Sequence, residues 1–213
     1  MNATTHVWSR TADMKQRRSH HTAALLPNGN VLVAGGFTAL TTSTGTTNHA
    51  EIFYPGTNTW VPTAPMISSR AYAGLVLLPD GSPFVMGGFA NGAYLSSTEI
   101  FYSTGHRWVA GPSMPEARAQ YTATLLRDGR IMVTGGLNAV SGVLNTTRFY
   151  DPATNTWSSP AGTNLNIARH SHTATMLRDG RVLVMGGNGG TGEIAQAEIL
   201  DRKSTRLNSS HIP

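Results

Sequence analysis

The sequence predicts an all-β protein, a partial arc of a β-propeller with about four blades of four antiparallel strands each. One segment, which runs from an arginine to a Gly-Gly pair, occurs four times, and a tryptophan marks the same register in each repeat. The period is about 50 residues. Every repeat also contains two short apolar runs that flank Asn-Gly or Asp-Gly, a pattern typical of hairpins. A strand-rich repeat of this length indicates stacked supersecondary units.

The third repeat shows how the first two strands of a blade arise. Residues 121–126 (YTATLL) combine β-branched, aromatic and aliphatic side chains, and residues 130–134 (RIMVT) continue the pattern after Asp128-Gly129. The dipeptide favours a tight turn because its central residues need φ > 0. Strands that are apolar on both faces are expected inside a stack of sheets.

A glycine pair ends the second strand of each repeat. Glycine at this point indicates a backbone that a neighbour approaches closely, or φ values that a Cβ forbids. The pairs are Gly35, Gly36, Gly87, Gly88, Gly135, Gly136, Gly186 and Gly187.

The third and fourth strands follow a loop. Third strands are predicted at residues 51–54, 99–102, 148–151 and 198–200. A turn such as DPATN then leads to the tryptophan that opens the outer strand. We expect Trp60, Trp108 and Trp157 to be largely buried between adjacent blades, and Trp8 to be exposed.

The order of these motifs resembles a known repeat. R-x-x-H, the D-G hairpin, the double glycine, E-I-F/Y and D-P-x-T-N-x-W closely resemble the kelch repeat in its bacterial form, which is related to the central domain of galactose oxidase. The similarity spans about Trp8 to Leu200. Ala73 and Tyr121 depart from the histidine of the motif, and Arg148 replaces its glutamate. Kelch propellers usually have six or seven blades, so the resemblance implies an arc of a larger ring.

The repeat divides the chain into units. We expect an incomplete kelch propeller over residues 1–200, with blade units at about 18–66, 67–114, 115–163 and 164–200. Residues 1–8 align with residues 150–157, so upstream sequence is expected. Residues 201–211 (DRKSTRLNSSH) match a sequencing adapter read in frame, and we therefore expect residues 201–213 to be non-native and to add no strand.

Composition excludes several classes of protein. The formal charge of +5 is spread along the chain, two units of it in residues 201–213, and no basic stripe predicts nucleic-acid binding. The chain has no cysteine, and no apolar run approaches the length of a membrane span. No cofactor is predicted. The compartment is left open, with an extracellular or cell-envelope location as the working expectation.

Histidines near the first strand are the candidates for a metal site. His20, His21, His170 and His172 precede inner strands that converge on the propeller axis, and imidazole suits zinc or copper. The alternative, which we favour, is that His21 and His172 pack between blades. Ala73 and Tyr121 at the matching positions could not complete a ligand set.

Four arginines precede the inner strands and are predicted to surround one rim of the channel. Guanidinium groups there would suit carboxylates, and the resemblance implies acidic peptide segments on this face. The alternative, again favoured, is a brace to backbone carbonyls within or between blades. The possible ligand-binding rim comprises Arg18, Arg70, Arg118 and Arg169.

No nucleophile, base or metal constellation departs from the repeat, so we predict a protein that is not an enzyme. The repeats differ most in the loops at residues 37–50, 89–98, 137–147 and 188–197, where function is expected. We expect a binding or scaffold module for protein segments or glycans. The alternatives are the propeller of a copper enzyme similar to galactose oxidase, against which the missing cysteine counts, and a kelch-type sugar isomerase.

Overall fold

Every regular element of the protein is a β-strand in the part that we describe, residues 7–38 and 45–201 of a computed structural model. Fifteen strands form four antiparallel sheets, and four strands of two residues form two small hairpins. The predicted all-β architecture of about fifteen blade strands is confirmed, whereas the small hairpins were not predicted. No helix long and apolar enough to cross a membrane occurs among the described residues.

The first three sheets have four strands each, in the spatial order first, second, third, fourth from the inside outward. Blade 1 comprises β1 Thr22–Leu25, β2 Val31–Ala34, β3 Ala50–Tyr54 and β4 Thr59–Pro62. Blade 2 comprises β5 Gly74–Leu77, β6 Pro83–Met86, β9 Thr98–Tyr102 and β10 Arg107–Gly111. Blade 3 comprises β11 Thr122–Leu125, β12 Ile131–Thr134, β15 Thr147–Asp151 and β16 Thr156–Ser158.

Blade 4 has three described strands, β17 Thr173–Met176, β18 Val182–Met185 and β19 Ala197–Leu200. The expectation that residues 202–213 add no fourth strand lies outside the described residues. The small hairpins occupy the loops between second and third strands of blades 2 and 3. They are β7 Phe89–Ala90 with β8 Ala93–Tyr94, and β13 Leu137–Asn138 with β14 Gly142–Val143.

The glycine of each D-G or N-G dipeptide closes the inner hairpin. In blade 3 the Gly129 N–H donates to the Leu126 carbonyl over 3.0 Å, and the Leu126 N–H donates to the Arg130 carbonyl over 2.8 Å. Gly129 has φ +82°, in the left-handed region that favours glycine. The loop is thus a three-residue connection with glycine in the last position, one of the common hairpin types.

The hydrophobic core lies between blades. Ile52 and Leu32 of blade 1 pack against Phe101 and Trp108 of blade 2, and the same layering recurs between blades 2 and 3 and between blades 3 and 4. Inner strands of successive blades contact one another, so β1, β5, β11 and β17 converge on a common axis.

The tryptophans differ in burial. Trp108 is 8 % exposed, whereas Trp60 and Trp157 are half-buried and donate their indole N–H groups to the carbonyls of Ala12 and Pro112 over 3.0 Å. Trp8 is 94 % exposed, and residues 7–14 form no strand. The outer strand expected at Trp8 is therefore not present in these residues.

The glycine pair forms the junction between blades. The Gly36 N–H donates to the Arg70 carbonyl of the next blade over 2.8 Å, and the same bond joins Gly88 to Arg118. A Cβ built on Gly35 would stand 2.3 Å from the Arg70 carbonyl oxygen. Both Gly35 and Gly36 also have positive φ. Close approach and backbone conformation thus both require glycine here.

Candidate functional site

Each repeat arginine is buried in its own blade. The Arg70 Nη1 donates to the carbonyls of Gly87 over 2.6 Å and Ser97 over 3.0 Å, and its Nη2 donates to Glu99 over 2.6 Å. The side chain of Arg70 is 0 % exposed. Arg18 and Arg169 make the same set of bonds.

The glutamate partners extend this brace to the chain that enters the blade. Glu99 accepts hydrogen bonds from the backbone N–H groups of Ile67 over 2.7 Å and Ser68 over 2.9 Å. Glu51 accepts in the same way from Lys15 and Gln16. The carboxylate therefore joins the third strand, the repeat arginine and the connection from the preceding blade.

Blade 3 has the same brace, but the carboxylate lies in the incoming connection and a cation lies on the third strand. Arg148 occupies the glutamate position, and Glu116, which lies in the connection before Arg118, supplies the carboxylate. Glu116 pairs with the guanidinium groups of both Arg118 and Arg148. The Nη1 of Arg118 still donates to the carbonyls of Gly135 and Thr146.

The guanidinium groups of all four repeat arginines are buried. The exposed fraction of the side chain is 0 % in Arg18, Arg70, Arg118 and Arg169. Their arrangement is the one that the bracing alternative describes. A ligand-binding rim at these positions would require the side chains to leave their carboxylate and carbonyl partners. The candidate site therefore lies among the residues that follow them.

The residue two positions after each arginine has an unusual backbone conformation. These axial residues are His20, Tyr72, Gln120 and Ser171, with φ of +51°, +54°, +56° and +52°. Such values are uncommon in residues other than glycine and persist only where the surroundings impose them. Sequence reasoning missed this position as a set. The available signal was that its residue type changes in every repeat.

Backbone hydrogen bonds between blades impose that conformation. The Tyr72 N–H donates to the His20 carbonyl over 3.1 Å, the Gln120 N–H to the Tyr72 carbonyl over 3.3 Å, and the Ser171 N–H to the Gln120 carbonyl over 2.8 Å. The axial residues thus form a continuous chain of bonds around the inner end of the blades. Their backbone is shared by all repeats, and their side chains differ.

The side chains at this inner end fall into two groups. An aromatic half contains His20, Phe37 and Tyr72, with ring centroids 4.3 Å apart for His20 and Tyr72 and 5.5 Å apart for Phe37 and Tyr72. A polar half contains Gln120, His170 and Ser171. The Gln120 Oε1 lies 2.9 Å from the His170 Nδ1 and accepts from the Ser171 hydroxyl over 3.0 Å.

Of the two histidines predicted to pack between blades, His172 does so, whereas His21 is exposed. His172 is buried, and its Nε2 lies 3.0 Å from the Thr122 hydroxyl of blade 3. Burial, with the nearby Arg169 charge, lowers the pKa of His172 to about 4. Tyr121 at the matching position bridges blades instead, because its hydroxyl donates to the Met86 carbonyl over 2.6 Å. Burial raises the pKa of Tyr121 to about 12.

The candidate metal ligands are not brought together as a set. His20 is exposed and packs on Tyr72, whereas His172 contacts Thr122. Within residues 7–38 and 45–201, no three His, Cys, Asp or Glu side chains are grouped so that they could hold a metal ion. Burial also lowers the pKa values of His21 and His170.

The variable loops emerge beside the axial residues. Bridges pair Ser19 with Phe37, Ala71 with Phe89, Ala119 with Leu137 and His170 with Asn188, so each loop begins against the segment that follows the arginine. The Leu95 carbonyl accepts from the Arg118 N–H of the next blade over 3.1 Å. The described parts of the loops and the axial residues therefore share one face, which we call the mouth face. The D-G and N-G turns between the first and second strands lie at the opposite ends of the strands.

Comparison with known proteins matches the sequence of these blades to a family. A family model for the Kelch motif matches residues 17–67, 84–115 and 119–162, more than half of the chain, and the matched ranges cover most of blades 1 to 3. No curated protein matches the sequence. Arg18 and the Gly-Gly pairs of blades 1 to 3 lie within these matched segments. The chain belongs to the kelch-motif family.

Proposed function

We propose that the protein is a non-catalytic binding or scaffold module that recognises a segment of a partner protein on the mouth face. Kelch repeats are commonly protein-interaction modules, and the family is generally non-catalytic. One observation supports the proposal most directly. Side chains that recur in the repeats are buried in braces and junctions, whereas those that differ, His20, Tyr72, Gln120 and Ser171, gather at one face with the variable loops.

The arginines have a structural role in this proposal. Arg18, Arg70, Arg118 and Arg169 hold the third strand and the incoming connection, so that the axial residues keep a fixed position. We also propose that residues 1–200, in the units given above, form an incomplete kelch propeller, and that residues 201–213 are non-native.

Selection from a random peptide library tests the proposed function. Immobilised protein should enrich peptides whose binding is weakened by Tyr72→Ala, a change on the mouth face. Thr104→Ala, an exposed change in a turn at the opposite end of blade 2, is the matched control and should leave binding unchanged. Circular dichroism of both variants verifies that the fold persists. Enrichment that ignores Tyr72→Ala would refute recognition through the mouth face.

A further inference from the structure

We propose that the mouth face recognises an uncharged segment, which places an apolar or aromatic side chain in the aromatic half and neutral hydrogen-bonding groups in the polar half. This inference rests on the proposed function and specifies the chemistry of its partner. The proposed partner is therefore not an acidic peptide.

The variable loops of the mouth face carry almost no charged side chains. In the four variable loops, residues 37–50, 89–98, 137–147 and 188–197, Glu193 is the single Asp, Glu, Lys or Arg. The repeat arginines beside the loops are buried and paired with carboxylates. An accessible cationic group for a carboxylate is therefore not supplied by these arginines or by the loops.

The aromatic half offers a surface for an apolar or aromatic side chain. Tyr72 is half-buried between the exposed His20 ring and the buried Phe37 ring. Tyrosine presents a large apolar surface together with a polar tip, which suits recognition at an interface. The Tyr72 hydroxyl has no hydrogen-bond partner among the described residues, and it is available to a ligand.

The polar half offers neutral hydrogen-bonding groups. Gln120 uses its Oε1 to accept from its neighbours, whereas its Nε2 donors have no partner within the described ranges. Burial lowers the pKa of His170, which favours the uncharged form of the ring beside Gln120. Amide, imidazole and hydroxyl groups are neutral partners for the carbonyl and N–H groups of an extended chain.

The backbone holds these groups in place before binding. The chain of hydrogen bonds from His20 through Tyr72 and Gln120 to Ser171 fixes four left-handed residues. Pre-organisation reduces the entropy that binding would otherwise cost, so a small neutral face can still be specific.

The chemistry makes a distinctive prediction about salt. Charged interfaces lose affinity as ionic strength rises because the Debye length falls from about 10 Å at 0.1 M to about 3 Å at 1 M. An uncharged segment on this face lacks that contribution. Its affinity should change by less than about threefold between 0.05 and 0.5 M NaCl.

The experiment uses random dodecamers displayed on phage, followed by fluorescence anisotropy with the most enriched peptide. We expect enriched peptides to be uncharged and to contain an aromatic residue, with the weak salt dependence given above. Tyr72→Ala and Gln120→Ala should each weaken binding by about tenfold or more. Thr104→Ala should not weaken it. Tyr72→Phe retains the ring, and it provides a folded variant should Tyr72→Ala be destabilised.

The outcomes separate the two proposals. Enrichment of acidic or basic peptides, with affinity that falls more than about tenfold across the salt range, would overturn the inference and leave the proposed function intact. Enrichment of no peptide at all, with Tyr72-dependent binding to a neutral glycan array instead, would overturn both the peptide partner and the proposed function. Neutral, aromatic, salt-insensitive peptides that depend on Tyr72 and Gln120 support both.

Discussion

The exchanged charge pair of blade 3 predicts a double-mutant cycle. Glu116→Ser introduces the residue that blade 2 has at this position, Ser68, and it removes the carboxylate that serves both Arg118 and Arg148. Arg118 is 0 % exposed, so its guanidinium would stay buried with only neutral acceptors. Breaking a buried pair costs about 3–5 kcal/mol, and since Glu116 is 28 % exposed, we expect a loss of about 2–4 kcal/mol.

Arg148→Glu alone should also destabilise the protein. It restores the glutamate of the other repeats, but it places that carboxylate beside Glu116 and removes the bond from Arg148 to the Ser159 hydroxyl. The double variant recreates the arrangement of blade 2, in which one carboxylate on the third strand pairs with the repeat arginine. We expect it to recover to within about 1 kcal/mol of the parent, with a coupling of about 2 kcal/mol or more.

Urea unfolding followed by circular dichroism measures the cycle on the full chain. Asp13→Ser, which removes a highly exposed ion pair with Arg10, is the control for loss of a carboxylate and should leave the midpoint unchanged. The reasoning fails if the two single changes simply add in the double variant. Additivity would mean that Glu116 and Arg148 do not share one charge network.

Three further changes test the brace, a buried histidine and the core. Arg70→Ala should cost about 3–5 kcal/mol in urea unfolding because it leaves the buried Glu99 carboxylate unpaired, and a loss under about 1 kcal/mol would contradict the brace. The pKa of His172 is lowered from 6.5 to about 4, so the unfolded chain binds this proton more tightly than the native state. Stability should therefore fall by about 2–3 kcal/mol as pH drops from about 6.5 to about 4, and His172→Gln should reduce the slope; an identical pH profile would exclude this residue as its source. Trp108→Ala should cost about 3–5 kcal/mol and the exposed Trp8→Ala almost nothing, and equal thermal shifts for the two would contradict their different burial.

Signals that are local in sequence predicted most of the fold. Asn-Gly and Asp-Gly fix hairpins by their own conformational preferences, and the Gly-Gly pair marks the close approach of the next blade in blades 1 to 3. The outer strand expected at Trp8 is absent from residues 7–14, because an outer strand forms only beside the third strand of its blade. The hairpins at Phe89–Ala90 and Leu137–Asn138 carry no strong strand signal, since each pairs only two residues with a short return.

The candidate site was harder to predict. A single sequence shows that Arg148 departs from the repeat, but not that Glu116, at an otherwise variable position, supplies the compensating charge, because that pairing exists only across 32 residues of folded chain. Similarly, the left-handed φ of the axial residues arises from hydrogen bonds between blades and not from the residues themselves, which include His20 and Tyr72. Conformations imposed by tertiary contacts leave no local trace.

Burial of the arginines supports the proposal that neutral side chains carry out recognition. Each repeat arginine pairs with a carboxylate in the interior of the blades. A carboxylate ligand therefore cannot reach its guanidinium group. The same braces position the axial backbone, in which the carbonyls of His20, Tyr72 and Gln120 are bonded to the next blade and only the side chains vary. Specificity can therefore change with the axial side chains and the loops at little cost to the fold. Replacement of Gln120 should alter which peptides bind while leaving the unfolding midpoint nearly unchanged.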